Sequence, residues 1–581
     1  MRICRVQPDV PALDKAFDYS IPDALAPAVR VGTIVRVSLH GRRVRGWVIA
    51  LDVAASGDPS KLLPIAKVVG SGPPAELIDL ATWASWRWAG PVVSFLRAAS
   101  PPNAVRDLAP PASLATGSPA VRVLAWPPAA DRRELVAQRI APRGSTLIVS
   151  ADGARFGSLL RHLEREGHRV LVIRADCSAA DKTRAWSRAR EGNCVVLGGR
   201  SAVWTPVPDL AAVIVLDEGD EALQEESAPT WNGRDVAAER ARRNGAELTL
   251  VGVVPSLEAE ALGGRAERPD RSTERHGWPG VEVVDLREAP PGRGLLTDEL
   301  ARAVRRSVDA GERAVCMLNR KGRARLLVCA ACGSPATCER CGAAVAEDEE
   351  RRLACAHCGM TRPPVCVSCH GARFKALRPG VRKLRDGLAA MFPKVEVAHV
   401  DAEVGEVPEA LVLVGTEAVL HRVQGPIGLV AFLDLDQELL APRYRASEQA
   451  LALVARGARR TGTNGRLLLQ TRLPEHAVVQ TALRADPSIL PELERRQRRE
   501  LGYPPFGGLA ELVGVAPAVD AAVEQLRASG IDVLGPAPRG ERLQALARSD
   551  DLPTLLDALA DAGPPARALG RLRIAVDPPR V

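Results

Sequence analysis

The sequence predicts a multidomain α/β protein. A β-rich N-terminal segment precedes two strand–helix series, and a cysteine-rich insertion interrupts the second. Three observations carry that prediction. Short apolar runs alternate with helical stretches from about 120 to 265, the pattern of a doubly wound sheet. A second series of apolar runs extends from 281 to 470. Eight of the 12 cysteines fall between 329 and 369.

The elements follow in order. Alternating apolar stretches at 31–37 (VGTIVRV) and 44–51 (VRGWVIAL) flank the basic stretch HGRRVRG and predict two adjacent strands around a polar turn. Residues 75–98 show helical periodicity. SPPNAVRDLAPPASLATGSP (100–119) has linker composition. Strands are predicted at 145–149, 169–173, 194–197, 211–216 and 248–251, with helices at 154–166 and 179–191. The second series places strands at 281–284, 314–318, 395–398, 411–414, 428–433 and 466–470. A charged helix is expected at 487–501, then two helical stretches and a last strand, RLRIAV. The expected division is an N-terminal domain 1–100, a linker 101–119, a first lobe 120–265, a second lobe 280–328 plus 373–475, an insertion 329–372 and a C-terminal domain 476–581.

Composition narrows the class. At 46% hydrophobic and 25% charged, the chain can bury real cores. Net charge is +8 and the isoelectric point near 9.0, which suits a nucleic-acid partner without requiring one. Only eight of the 78 basic residues are Lys. Arginine makes bidentate phosphate contacts, although coding bias toward Ala, Gly, Pro and Arg accounts for most of the excess. No apolar run approaches the ~18 residues of a membrane span, and the N-terminus lacks the apolar core of a signal peptide. A cytoplasmic protein with no membrane partner is expected. In a reducing compartment, clustered cysteines point to metal rather than disulfides.

The cysteine block holds four CxxC pairs: Cys329/Cys332, Cys338/Cys341, Cys355/Cys358 and Cys366/Cys369. Zn²⁺ takes four thiolates in a tetrahedron, and one CxxC turn supplies two. Four pairs therefore make two sites. Gly333, Gly342 and Gly359 follow the second cysteine of three pairs and permit the tight turn. A redox dithiol is normally a single pair, so redox chemistry fits less well. His357 and His370 lie inside the block but are not needed as ligands. Spacing alone leaves nested and sequential pairing of the CxxC turns both open.

AAVIVLDEGDEALQEE (211–226) runs an apolar strand into an acidic turn. Nucleotide-hydrolysing enzymes hold Mg²⁺ with carboxylates at such a strand end. They also need a phosphate-cradling GxxxxGK[ST] loop. No Lys in this chain follows a Gly. The loop is expected at AWPPAADRRELVA (125–137), which has no Gly, and its two prolines remove amide donors.

Several blocks together resemble one family. LNRKGRARLLVCAACG (318–333) leads into four CxxC pairs within a helicase-like lobe. AFDYSIP (16–22) precedes GTIVRVSLHGRRVRGWVI, and GGRSAVWTPV (198–207) precedes the acidic box. VGVVPSLEA, PRYRASEQAL (442–451), RRELGYPPF (498–506) and a terminal VDPP complete the set. The sequence is similar to the bacterial replication restart (PriA, primosomal protein N′) family over nearly its whole length. The resemblance implies two RecA-like lobes of superfamily 2 helicase type, a β-rich N-terminal domain that binds DNA 3′ ends, an inserted two-zinc module and an α+β C-terminal domain. It also implies nested pairing: Cys329, Cys332, Cys366 and Cys369 for one Zn²⁺, and Cys338, Cys341, Cys355 and Cys358 for the other.

The sequence departs from the family at every nucleotide motif. The family's DEEH is here Asp217-Glu218-Gly219-Asp220. A SAT-type coupling motif is replaced by Gly252-Val253-Val254. QxxGRxGR has become LVARGARR (453–460), where Leu453 replaces Gln, Gly457 replaces the first Arg and Arg460 keeps the second. Losing lysine, amides and arginines together removes the electrostatic stabilisation that phosphoryl transfer needs. Both lobes are therefore expected to be degenerate, with no catalytic residues, no ATP cofactor, and Asp217 and Glu218 left as a structural turn. A family-type winged helix does not fit within 100–119.

The expected function is that of a replication restart protein. It would bind stalled or abandoned forks and promote primosome assembly and reloading of the replicative helicase, without ATPase or helicase activity. The alternatives are an active ATP-dependent 3′-5′ helicase with an unconventional nucleotide site, and a generic zinc protein of transcription or RNA handling. Expected partners are forked and single-stranded DNA, primosome proteins, the helicase-loading machinery and single-stranded DNA-binding protein, met by a nucleoid-associated monomer. The DNA-contact candidates are Asp18, which resembles the family position reading a terminal base, and Arg42, Arg43 and Arg45 as a phosphate-contacting turn.

Overall fold

The computed structural model describes residues 2–11, 13, 15–106, 120–151, 156–289, 294–318, 326–348, 350–356, 358–376, 381–400 and 407–579. Most of the expected linker (107–119), part of the LNRKGRARLL block (319–325) and His357 lie outside them. The chain forms two compact units. The first comprises Met1–Arg122, Arg133–Leu250 and Gly502–Pro578; the second comprises Val123–Arg132, Val251–Leu501 and Pro579–Val581.

The first unit begins with a five-stranded antiparallel sheet in the order Phe17–Ile21, Arg2–Pro8, Arg42–Leu51, Thr33–Leu39, Lys67–Ser71. Val6, Val35, Val37 and Val48 line its inner face together with Tyr19 and Ile21. The turn between the third and fourth strands is only His40 and Gly41, with φ of 47° and 75°. Two consecutive left-handed residues give the twist that matches paired strands. The turn is therefore tighter than HGRRVRG suggests, and Arg42, Arg43 and Arg45 are strand residues, not turn residues. Helices Ala75–Arg87 and Val92–Ala99 follow. Just past the second, Ser100 Oγ accepts a 2.9 Å bond from the fully buried Trp47 indole.

Aromatic residues are scarce, yet Trp83, Trp88, Phe95, Trp204 and Trp231 form a continuous chain of ring contacts 5.4–6.3 Å apart. Arg87 adds ion pairs to Asp235 at 3.5 Å and Asp577 at 2.6 Å. The helices after the N-terminal sheet are thereby fixed to the first lobe and to the C-terminal domain of the same unit.

The first lobe carries a six-stranded sheet in the order Val121–Ala125, Glu247–Gly252, Leu210–Leu216, Ser145–Ser150, Val195–Gly198, Val170–Ile173. The four strands from Leu210–Leu216 to Val170–Ile173 run parallel. The inner three are buried on both faces and rich in Val, Leu and Ile, while the edge strand Val170–Ile173 is only part-buried. The first strand, Val121–Ala125, was not foreseen from the sequence. It is five residues long, and its first two are exposed.

The second unit holds another six-stranded sheet, parallel throughout, in the order Gly280–Asp285, Arg466–Thr471, Ile427–Phe432, Arg313–Met317, Val412–Gly415, Val397–Val400. Separate apolar cores pack on its two faces. Helices Ala477–Arg484 and Ile489–Leu501 also belong to this unit, so the C-terminal domain begins near 502 rather than at the expected 476. The reason is a buried ion cluster. Arg498 reaches Glu258 at 3.2 Å, Glu448 at 2.5 Å and Glu494 at 3.3 Å, and lies over the Tyr444 ring. Its side chain is 1% exposed, so all three elements must stay together to keep that charge compensated.

The C-terminal domain is a four-stranded antiparallel sheet backed by helices Ala516–Ala528 and Leu552–Ala568. Among the described residues, no helix is long and apolar enough to cross a membrane.

Candidate metal centres and nucleic-acid interface

The cysteine module is built from short antiparallel strands. Its entry strand Leu327–Cys329 pairs with its exit strand Phe374–Ala376. That pairing brings the first CxxC turn to the last. Inside it, Val345–Glu347 pairs with Leu353–Cys355, which brings the second turn to the third. The pairing is therefore nested. Cys329, Cys332, Cys366 and Cys369 form one cluster, and Cys338, Cys341, Cys355 and Cys358 form the other, with all sulfurs of a cluster within 4.8 Å of one another.

Four Sγ–Sγ distances are 3.5 Å (Cys329–Cys369), 3.7 Å (Cys332–Cys366), 3.4 Å (Cys338–Cys358) and 3.5 Å (Cys341–Cys355). A tetrahedral zinc with sulfur at about 2.3 Å places its ligands about 3.8 Å apart. Both clusters therefore fit a single thiolate-bound metal ion.

Each CxxC turn closes the same way. The residue after the second cysteine donates its N–H to the carbonyl of the first cysteine, at 3.0 Å in Gly333, 2.9 Å in Gly342, 3.0 Å in Gly359 and 2.9 Å in His370. All four are left-handed, with φ of 73°, 73°, 74° and 58°. Glycine adopts this freely; His370 adopts it at a cost. The module is anchored on its own unit by Ala344 N–H to Leu440 O at 2.9 Å and by Gln497 Nε2 to Cys341 O at 3.0 Å.

The acidic turn is different. Leu210–Leu216 pairs in parallel with Ser145–Ser150, and Leu216 sits beside Ser150. At the edge of the sheet, strand Val121–Ala125 leads through 126–132 into helix Arg133–Ala137. The segment read as the phosphate-loop place (125–137) is thus a strand-to-helix connection, and it contains Pro127 and Pro128 but no glycine and no lysine. Residues 123–132 belong to the second unit, where Pro128 O accepts from Arg459 Nε at 3.2 Å.

The carboxylates of the acidic box face partners of their own. Glu218 is 1% exposed and pairs with Arg234 at 3.3 Å, both side chains being buried. Asp220 caps the next turn by accepting from Ala222 N–H at 2.9 Å. Glu225 takes two bonds from Arg200, at 3.2 and 3.0 Å. In the second unit, Arg456 pairs with Glu417 and Arg460 donates to Val423 O. These side chains are thus tied to partners inside each unit.

In the N-terminal sheet, Asp18 is also internally engaged. Its side chain is 4% exposed. Oδ1 accepts from Arg5 Nε at 2.8 Å, and Oδ2 accepts from Arg5, from Ser56 N–H at 2.9 Å and from Ser56 Oγ at 2.7 Å. The Arg5 guanidinium, followed by the Ser56 donors, brings the carboxyl down to about 2 despite burial. Arg42 and Arg43 are exposed, and Arg45 is half-buried with its guanidinium 5.5 Å from the Trp47 ring centre. Arg36, which the sequence reading passed over, lies directly opposite Arg45. The two-residue turn was the signal that could have revealed it, since it fixes which residues pair.

Two family models match the chain. One is the 3′DNA-binding domain over residues 5–101, and the other is the primosomal protein N C-terminal domain over residues 499–579. The chain is similar to replication restart protein PriA of Thermotoga maritima, 30% identical over 449 residues that cover 71% of this chain and 60% of that protein. It is 28% identical to replication restart protein PriA of Treponema pallidum over 432 residues, 67% of this chain and 65% of the relative. With replication restart protein PriA of Bacillus subtilis the identity is 26% over 377 residues, 60% of this chain and 46% of the relative. The chain thus spans about half to two thirds of the length of these curated relatives.

Proposed function

The chain belongs to the replication restart protein PriA family, and from that premise we propose that it binds stalled or abandoned replication forks and promotes reloading of the replicative helicase without hydrolysing ATP itself. One contrast within the first unit carries this reading. Residues matched by a 3′DNA-binding domain model form an ordered sheet, while the lobe beside it in sequence has no lysine in its phosphate-loop place and has tied its acidic-box glutamate to Arg234. The DNA-recognition half of a motor is kept and the fuel-burning half is not.

In this reading the partners are forked and single-stranded DNA, primosome proteins, the helicase-loading machinery and single-stranded DNA-binding protein, and the protein acts as a cytoplasmic, nucleoid-associated monomer. Two Zn²⁺ ions occupy the two Cys4 clusters and hold the module's short strands together, since strands of two or three residues cannot bury enough to stay folded alone. Asp18 takes part in reading a 3′ end only if the incoming base competes with Ser56 for Oδ2, because that oxygen already accepts from the Ser56 N–H and Oγ.

Binding of model forks tests the proposal. The expected result is tighter binding of a fork with a free 3′ end than of one with that end blocked, and loss of the difference in Asp18→Ala. Equal affinity of the wild-type protein for forks and linear duplex would sink the fork reading. An unchanged end preference in Asp18→Ala would remove the role of that residue alone.

A further inference from the structure

The basic residues of the N-terminal sheet form a row across strands. The two-residue turn at His40 and Gly41 sets Arg36 opposite Arg45 and Ser38 opposite Arg43, and on the other side of the same strand Arg36 stands opposite Lys67. Val35, Val37, Val44 and Val68 turn into the core. By the alternation of a strand, Arg36, Arg45 and Lys67 therefore share the opposite face. One end of that face is covered, with Ile34 3% and Trp47 0% exposed. The other end is open: Arg36, Arg43 and Lys67 are exposed. Arg45 lies at the border, packed over Trp47.

Three cations directly opposite one another on neighbouring strands destabilise a sheet. Nothing within the described residues offsets them: none of Arg36, Arg43, Arg45 and Lys67 has a carboxylate within ion-pairing distance. The acids of the domain are held elsewhere. Asp9, whose N–H bonds Arg45 O, gives its carboxylate to Arg97 at 2.6 Å. Asp18 is held by Arg5 and Asp52 by Arg2. Charges have been sorted so that one open strip of the sheet stays cationic over two strand spacings, about 10 Å.

We propose that Arg45, Arg36 and Lys67, extended by Arg43, grip consecutive backbone phosphates of a single DNA strand as it leads toward its 3′ end. The inference rests on the DNA-binding reading and adds the site. Arginine takes a phosphate through two parallel N–H bonds, and Trp47 keeps Arg45 in place before the strand arrives. Contacts to phosphate set position and carry no sequence information. The strip accordingly serves strands of any sequence.

The test is the salt dependence of binding to a 3′-ended single-stranded oligonucleotide, between about 50 and 200 mM salt. It is measured for the full chain, for Arg36→Gln, Arg45→Gln and Lys67→Gln, and for the triple variant. Each substitution is expected to reduce the slope of log affinity against log salt by about 0.7, and the triple variant by about 2. The loss should be equal for oligonucleotides of different sequence. The triple variant should melt no earlier than wild type, because it loses like-charge repulsion. If it melts early, the exposed single variants Arg36→Gln and Lys67→Gln carry the test. An unchanged slope in a variant that keeps its melting temperature overturns the strip while leaving DNA binding in place. A wild-type protein with no salt-dependent DNA binding overturns the underlying reading instead.

Discussion

The cysteine module and the acidic turn of the first lobe both gather residues that bind metal in other proteins, and they differ in where the ligand atoms point. In the module, eight sulfurs converge on two centres, and four backbone turns hold a left-handed residue to make that possible. In the acidic turn, Glu218 faces Arg234, Asp220 faces a backbone amide and Glu225 faces Arg200. A site under selection for a ligand keeps groups aimed at a shared centre that the fold itself does not fill. A site released from its ligand lets those groups find partners inside the protein.

Substitutions at the two places should therefore fail in different ways. The largest effect is expected at the cysteines. Cys338→Ala or Cys355→Ala should lower bound zinc from two ions per chain to one and expose the module to proteolysis, since structural zinc supplies the folding free energy of such small units. Asp217→Asn should leave the zinc count unchanged. Two ions retained in Cys338→Ala would break the comparison. Next is Glu218→Ala, which takes from the buried Arg234 one of its carboxylate partners while Asp235, at 2.7 Å, stays. A loss of about 3 kcal/mol is expected in urea unfolding of the first unit. A loss below about 1 kcal/mol would show that the pair does not hold the turn.

Asp18 gives a smaller, pH-dependent effect. Its folded carboxyl is held at about 2, below the ordinary 3.8. The stabilisation is thus full above pH 4 and lost as pH falls through 2. Asp18→Asn should remove about 1–2 kcal/mol at neutral pH, reduced from the full linkage value because Arg5 is partly open to solvent. It should also flatten the acid limb of the stability curve, which an unchanged acid limb would contradict. The smallest effect is expected at His370, left-handed at φ 58°. His370→Gly should slow zinc loss to a chelator slightly, by up to about 1 kcal/mol in the module's stability.

Most strands of both lobes were legible because buried parallel strands are continuous apolar runs, and a run such as AAVIVL admits little else, whereas the short, partly exposed Val121–Ala125 was not. The eight cysteines were legible as candidate ligands from CxxC spacing; spacing left their pairing open, the family resemblance implied the nested one, and the entry and exit strands lie side by side in keeping with it. What could not be read depends on long-range order. The boundary at 502 follows from Arg498 meeting Glu258, 240 positions earlier. The cationic row follows from strand register, which a two-residue turn sets and a wider turn would have changed.

DNA-stimulated ATP hydrolysis by the purified full chain, at saturating forked DNA, tests the central claim most directly. The account predicts fork binding with no turnover above a protein-free control. Turnover that copurifies with the protein, saturates with ATP and rises with fork concentration would contradict it.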